Sequence, residues 1–203
     1  SDLTGKISAA RESINDILKE LDEKFIGMTP LKKQLRQMAQ TIRFDHLRAE
    51  KMGLVTKMEP ARYNMRFVGN PGTGKTTIAR YMARVFCSLG IIDQCKVKEY
   101  RGVDLKGSYV GHSKDRVNAI FENSAGYVVV IDEIYSLYDT RSGMPDSFGT
   151  EAIDTLVGGI TDPRNAATIF VIAGYKNRMD EFLTANPGLA RRFPLEVEFP
   201  DYS

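Results

Sequence analysis

Gly69-Asn70-Pro71-Gly72-Thr73-Gly74-Lys75-Thr76 is the stretch on which the reading of this chain turns. It satisfies the pattern G-x-x-x-x-G-K-[ST]. It follows an apolar segment, Met65-Arg66-Phe67-Val68, and precedes a stretch of helical character over residues 76–86. That strand–loop–helix setting gives the pattern its meaning. Glycines let the backbone fold closely round a chain of phosphates, and successive N–H groups with the helix N-terminus then face the anion. Lys75 is placed to reach β- and γ-phosphates, and the Thr76 hydroxyl to ligate Mg²⁺.

Outward from this loop the chain alternates short apolar segments with helical ones. Strands are predicted over residues 64–68, 97–100, 127–131, 168–173 and Leu195–Phe199. Such alternation argues for βαβ units and a parallel sheet covered on both faces. Val128-Val129-Val130-Ile131 is apolar without a period of two, as suits a central strand buried on both sides. It runs directly into Asp132-Glu133, two carboxylates at the strand's C-terminal end, where ligands bind in open parallel sheets. Paired with the phosphate loop, Asp132 is read as holding Mg²⁺ through its water shell, since this cation takes oxygen ligands and keeps several waters. Glu133 is read as polarising the water that attacks the γ-phosphorus. A second carboxylate favours hydrolysis over phosphate transfer to a small molecule.

Upstream, residues 1–57 read as an N-terminal helical segment leading into an α/β domain over residues 58–203. Ile7, Ile14, Ile17, Leu18, Leu21 and Phe25 recur near a heptad spacing before a break at Ile26-Gly27-Met28. Thr29 is predicted to cap a second helix, with Pro30 in its first turn. Leu31, Leu35, Met38 and Ile42 form its apolar stripe, and Gly53 is a stop. Lys and Arg outnumber Asp and Glu between Leu31 and Arg62. A run of this kind reads as a solvated face, with contact to nucleic acid or an acidic partner as the alternative.

Composition excludes several classes. A net charge of +2 leaves no polyanion-binding footprint, so nucleic acid is not an expected partner. Cys87 and Cys95 have no Cys/His cluster around them, which argues for a reduced, cytoplasmic chain with neither a disulfide scaffold nor a zinc site. No apolar run approaches the ~18 residues needed to cross a bilayer. Ser1 to Lys6 do not read as a secretion signal, and the start suggests a piece of a longer protein.

The residues resemble AAA+ ATPases. Within that class they are most similar to the branch of red-type Rubisco activase, stage V sporulation protein K and type VII secretion ATPases. The likeness rests on Val68 to Thr77, Tyr109-Val110-Gly111-His112, Ile131-Asp132-Glu133, Ile172-Ala173-Gly174-Tyr175, Asn186-Pro187-Gly188-Leu189 and Glu198 to Ser203. It implies a P-loop α/β fold with a five-stranded parallel sheet in the order 5-1-4-3-2, a Mg²⁺-dependent ATP hydrolase cycling between ATP and ADP, and a ring, usually a hexamer, with nucleotide between neighbours. The resemblance assigns nucleotide contacts to Asn70, Pro71, Gly72, Thr73, Gly74, Lys75, Thr76 and Thr77, and an adenine-side contact to Gly27. It makes Tyr109 and Val110 the grip of a central-pore loop on a protein client. Arg191 or Arg192 becomes the arginine finger, Arg192 fitting the Arg-Phe pattern better. Tyr175 fits by position, and Asn177 by chemistry, the polar residue that orients the attacking water at the end of the fourth strand.

The resemblance places the start of a C-terminal helical lid where this sequence ends, at Ser203, so the lid is expected to be absent from it. The chain by itself is therefore expected to bind nucleotide weakly and turn it over slowly. Three functions remain in view: a ring ATPase that remodels or threads a protein, including secretion and sporulation motors; a nucleic-acid-associated switch; and a phosphotransferase or non-hydrolysing nucleotide-binding module.

Overall fold

The apolar segments pair into one sheet in the order β2-β3-β4-β1-β5, with every pair parallel. The strands are β1 (Met65–Gly69), β2 (Val97–Arg101), β3 (Val128–Asp132), β4 (Ile169–Gly174) and β5 (Leu195–Phe199). This is the predicted order, read from the other edge. The computed structural model describes residues 12–53, 61–138 and 146–201. Ile7, the hand-over between the two segments near residue 57, and Tyr202-Ser203 lie outside the described residues.

The first four strands each run one residue past their predicted ends, to Gly69, Arg101, Asp132 and Gly174. Apolar patterning stops where side chains turn polar or vanish, but the backbone ladder does not. Arg101 still pairs with Asp132, and Asp132 with Ala173. The first acidic candidate is thus held in the sheet itself, at a fixed height.

Alternate residues of a strand face opposite sides. Met65, Phe67, Val130, Val171 and Val197 join one apolar cluster; Val68, Val129, Ile131, Phe170 and Ile172 join the other. The first face is covered by α1 (Ile14–Lys24), α2 (Thr29–Lys51) and α3 (Lys75–Ser88). The second is covered by α4 (His112–Asn123), α5 (Ser147–Ile160), α6 (Lys176–Ala185), the short α7 (Pro187–Ala190) and a 3₁₀ turn, Ile134–Leu137. Each large side chain so enclosed, such as Phe67 or Phe170, stabilises the fold by about 1.5–3 kcal/mol.

The N-terminal helices share the first cluster with the sheet. α1 buries Ile14, Ile17, Leu18 and Leu21, and Ser13 caps it by accepting from the Asp16 N–H. α2 starts at the predicted cap itself, so its cap falls one residue earlier than expected. The Met28 carbonyl accepts the Lys32 N–H, so Met28 is the cap and Thr29 already belongs to the first turn. Leu31, Leu35 and Ile42 are buried as the stripe predicts, but Ala39 rather than Met38 completes it. Polar contacts add to the join. Arg84 of α3 donates to Glu12 and Glu20, and the Gln34 carboxamide of α2 both donates to the Glu198 carbonyl and accepts its N–H, each at 3.0 Å.

The expectation of two unpaired cysteines does not hold. Cys87, in the last turn of α3, and Cys95 are joined by a disulfide, with their Cα atoms 5.2 Å apart. The chain turns back after α3, Ile91 donating to the Phe86 carbonyl and Gln94 to Gly126, which brings the two residues face to face. Spacing alone showed no sign of that turn.

Candidate active site

The C-terminal ends of β1, β3 and β4 open onto one cavity of about 660 Å³. Its walls include Gly72, Lys75 and Thr76 on one side, Asp132 and Glu133 on the other, and Ala173-Gly174 between them. The sheet order explains the juxtaposition: β4 separates β1 from β3, so the loop leaving β1 and the carboxylates ending β3 face each other across one strand.

The loop has the backbone that phosphate binding requires. Gly74 caps α3 with φ +88°, and Gly72 has φ +77°. Nothing lies within 4 Å of a Cβ built at Gly72, so the restriction there is one of backbone conformation rather than space. An L-residue in that region costs roughly 1–2 kcal/mol. Pro71, Gly74 and Thr77 line the cavity; Asn70, Thr73 and Gly27 do not. Asn70 instead donates to Asp201, and the Thr73 hydroxyl to the Asn70 carbonyl, at 2.5 and 2.7 Å. These two residues brace the loop from behind. Gly27 (φ +86°) sits in the turn after α1, where the neighbouring Phe25 ring packs near Gly74.

Lys75 Nζ donates to the Gly69 carbonyl at 2.9 Å. Burial holds its ammonium below the ordinary lysine range, while Asp132 and Glu133 draw it back up. A cation so desolvated gains strongly from an incoming anion. Thr76 and Asp132 both border the cavity and offer hard oxygen donors, which suit Mg²⁺. Among the described residues no group of three or more His, Cys, Asp or Glu is arranged to hold a metal.

Glu133 departs from the strand in a left-handed conformation, φ +51° and ψ 47°. Its N–H reaches the Ala173 carbonyl at 2.8 Å and the Asp132 carboxylate at 3.0 Å. Its own carboxylate accepts from Arg101 Nη2 at 3.1 Å. Arg101 lines the same cavity and was not singled out from sequence; its pairing with Asp132 across β2 and β3 is what brings it there. Tyr175 borders the cavity, whereas Asn177 is exposed on α6 and does not. A further tyrosine, Tyr135, also borders it and is only 4% exposed, with burial raising its hydroxyl above the ordinary range.

Two sets of candidates lie away from this cavity. Arg191 and Arg192 line a separate hollow with Arg62 and Pro194. Arg192 Nε is buried there with no hydrogen-bond partner among the described residues. The second set is an exposed loop whose tip carries Tyr109 (61% exposed) and Val110 (88%). Its base is tethered: Gly107 donates to the Ser113 hydroxyl, Ser108 to His112 Nδ1, and the Glu151 carboxylate accepts from the N–H groups of Gly111 and Lys114. The Tyr109 ring stacks on His112, centroids 4.3 Å apart.

The family model described as "ATPase family associated with various cellular activities (AAA)" matches residues 65–201. The chain belongs to the AAA ATPase family. The match takes in every strand of the sheet and the whole cavity of this AAA domain. The domain is 40% identical over 195 residues to stage V sporulation protein K of Bacillus subtilis, covering 95% of this chain and 58% of that protein. It is 40% identical over 190 residues to the chloroplastic ribulose bisphosphate carboxylase/oxygenase activase of Cyanidioschyzon merolae, covering 94% and 63%. It is 37% identical over 195 residues to the protein CbxX of Cupriavidus necator, covering 96% and 60%. The AAA domain thus spans about three fifths of the length of these relatives. None of its described helices is long and apolar enough to cross a membrane.

Proposed function

We propose that this domain binds ATP with Mg²⁺ in the Lys75 cavity, hydrolyses it, and uses the cycle within a homo-oligomeric ring, a hexamer, to remodel or thread a protein client. The observation that carries the reading is the facing of Lys75 and Thr76 by Asp132 and Glu133 across the end of β4, in one cavity. Backbone N–H groups of residues 72–76 bind the phosphates, and Lys75 exchanges the Gly69 carbonyl for phosphate oxygens. Thr76 and Asp132 hold Mg²⁺, which when bound neutralises charge developing on the phosphates. Glu133 takes the proton of the attacking water as the bond to the γ-phosphorus forms; ADP leaves with the electron pair of the broken bond. Gly27 and its turn lie on the adenine side, and Tyr175 orients the water from the end of β4. Arg192 acts in the neighbouring subunit.

Lys75→Ala tests the site itself. Calorimetric titration with ATP–Mg²⁺ is expected to show affinity lowered by about 10²-fold or more, as a charge-assisted contact to phosphate is lost. Uptake equal to the parent's would remove the cavity from consideration.

Support for a protein client comes from the Tyr109–Val110 tip: apolar and aromatic surface held out to solvent on a braced base. An aromatic gives large contact area at low entropic cost, and so grips many sequences. One relative is itself named as an activase of another enzyme. Tyr109→Ala is expected to leave ATPase turnover within about twofold while client remodelling, followed by client activity or unfolding, falls by tenfold or more. Loss of both together would make Tyr109 structural. Two of the basic residues behind the nucleic-acid alternative, Lys32 and Arg36 of α2, are engaged with Asp22, which weakens it.

A further inference from the structure

Tyr135 is a polar residue that the reading so far does not use. Its ring is fixed from several sides. A Cβ at Gly174 would come within 2.4 Å of its Cε1 and 3.0 Å of its hydroxyl, so only glycine at the end of β4 leaves room for it. The Arg178 guanidinium lies over the ring face, 4.2 Å from the centroid. The hydroxyl oxygen accepts the Tyr175 N–H at 3.3 Å. Among the described residues no acceptor takes the hydroxyl's own proton, although the residue is 4% exposed. A hydroxyl on a largely enclosed ring, bordering the cavity with no protein acceptor for its proton among the described residues, is free to donate to a ligand there. Tyr135 also lines the cavity that Lys75, Asp132 and Glu133 share. A terminal phosphate offers only acceptor oxygens, which is what this phenol lacks.

We propose that Tyr135 donates a hydrogen bond from its hydroxyl to the terminal phosphoryl group during hydrolysis, held in place by Gly174, Arg178 and the Tyr175 N–H. The proposal rests on the reading of the cavity as the ATP site. It adds a donor supplied by the turn after β3, opposite Lys75. The bond strengthens as charge develops on the phosphoryl oxygens, so it favours the transition state over bound ADP.

Tyr135→Phe keeps the ring, its fit against Gly174 and its stack on Arg178, and removes only the hydroxyl. Affinities for ADP–Mg²⁺ and for ADP–Mg²⁺ with aluminium fluoride, a mimic of the phosphoryl group in transfer, are compared by calorimetry, alongside single-turnover hydrolysis. The expected result is ADP affinity within about twofold of the parent, with mimic affinity and turnover each lowered by on the order of 10²-fold. Equal losses for both ligands, an unfolded variant, or no loss for either would make the hydroxyl a packing group and overturn the proposal. Lys75→Ala run in parallel separates the two levels. If it binds both ligands as the parent does, the ATP-site reading falls and takes this proposal with it. If it loses both while Tyr135→Phe loses neither, only the role of Tyr135 falls.

Discussion

Arg192→Ala is expected to bind ATP–Mg²⁺ as the parent does, yet to hydrolyse it on the order of 10³-fold or more slowly under conditions where the parent assembles. The argument is spatial. Arg192 lines a hollow with Arg62 and Arg191, and none of the three borders the Lys75 cavity of its own chain. Its Nε is buried without a partner among the described residues. Removing it cannot strip a contact from nucleotide bound in the same chain. A guanidinium offered to a neighbour's γ-phosphate, by contrast, counters charge that develops only in the transition state. Steady-state turnover and equilibrium binding, measured on the same assembled sample, check the split. A loss of turnover smaller than about tenfold would dismiss Arg192 as the finger and turn attention to Arg191.

Glu133→Gln is expected to lower turnover by about 10²–10⁴-fold while ATP binding persists, because an amide cannot take the water's proton. Shape is nearly conserved, and the Arg101 contact can survive through the amide oxygen. The left-handed backbone at Glu133 is anchored by its own N–H to Ala173 and Asp132, not by the carboxylate, so the turn should hold. Mixing the two inactive variants joins the predictions. An interface between a chain lacking Arg192 and a neighbour lacking Glu133 can still unite an intact finger with an intact base. An equimolar random ring regains roughly a quarter of such interfaces, since each site draws its two halves from different copies. No recovery on mixing would count against action between subunits.

The parts of this site that were legible in the sequence are those written contiguously. Gly69 to Thr76 carries strand end, loop and helix start in one stretch, and Asp132-Glu133 follows its strand directly. The strands announced themselves as apolar runs, and their order followed from the family likeness. Residues set by register were not legible. Arg101 reaches Glu133 because β2 pairs with β3 in one alignment, and nothing local at Arg101 shows that. Asp201 meets Asn70 only because β5 lies beside β1. Nothing in the sequence singles out Tyr135, because a 3₁₀ turn is what folds it back under Gly174. The Met28 cap was missed because its carbonyl, not its side chain, begins α2. The cysteine bridge was missed because a reversal, rather than a spacing rule, creates it.

Gln34 has a consequence for how copies of this chain can meet. Its carboxamide offers Glu198 a donor and an acceptor, as a sixth strand would, at the open border of the sheet beyond β5. Exposed borders of this kind invite another molecule to extend the sheet by main-chain pairing. Here an intramolecular mimic already occupies that position. Extension of the sheet into a continuous ribbon is thereby discouraged on this side, so the ring proposed above is expected to assemble through side-chain surfaces instead.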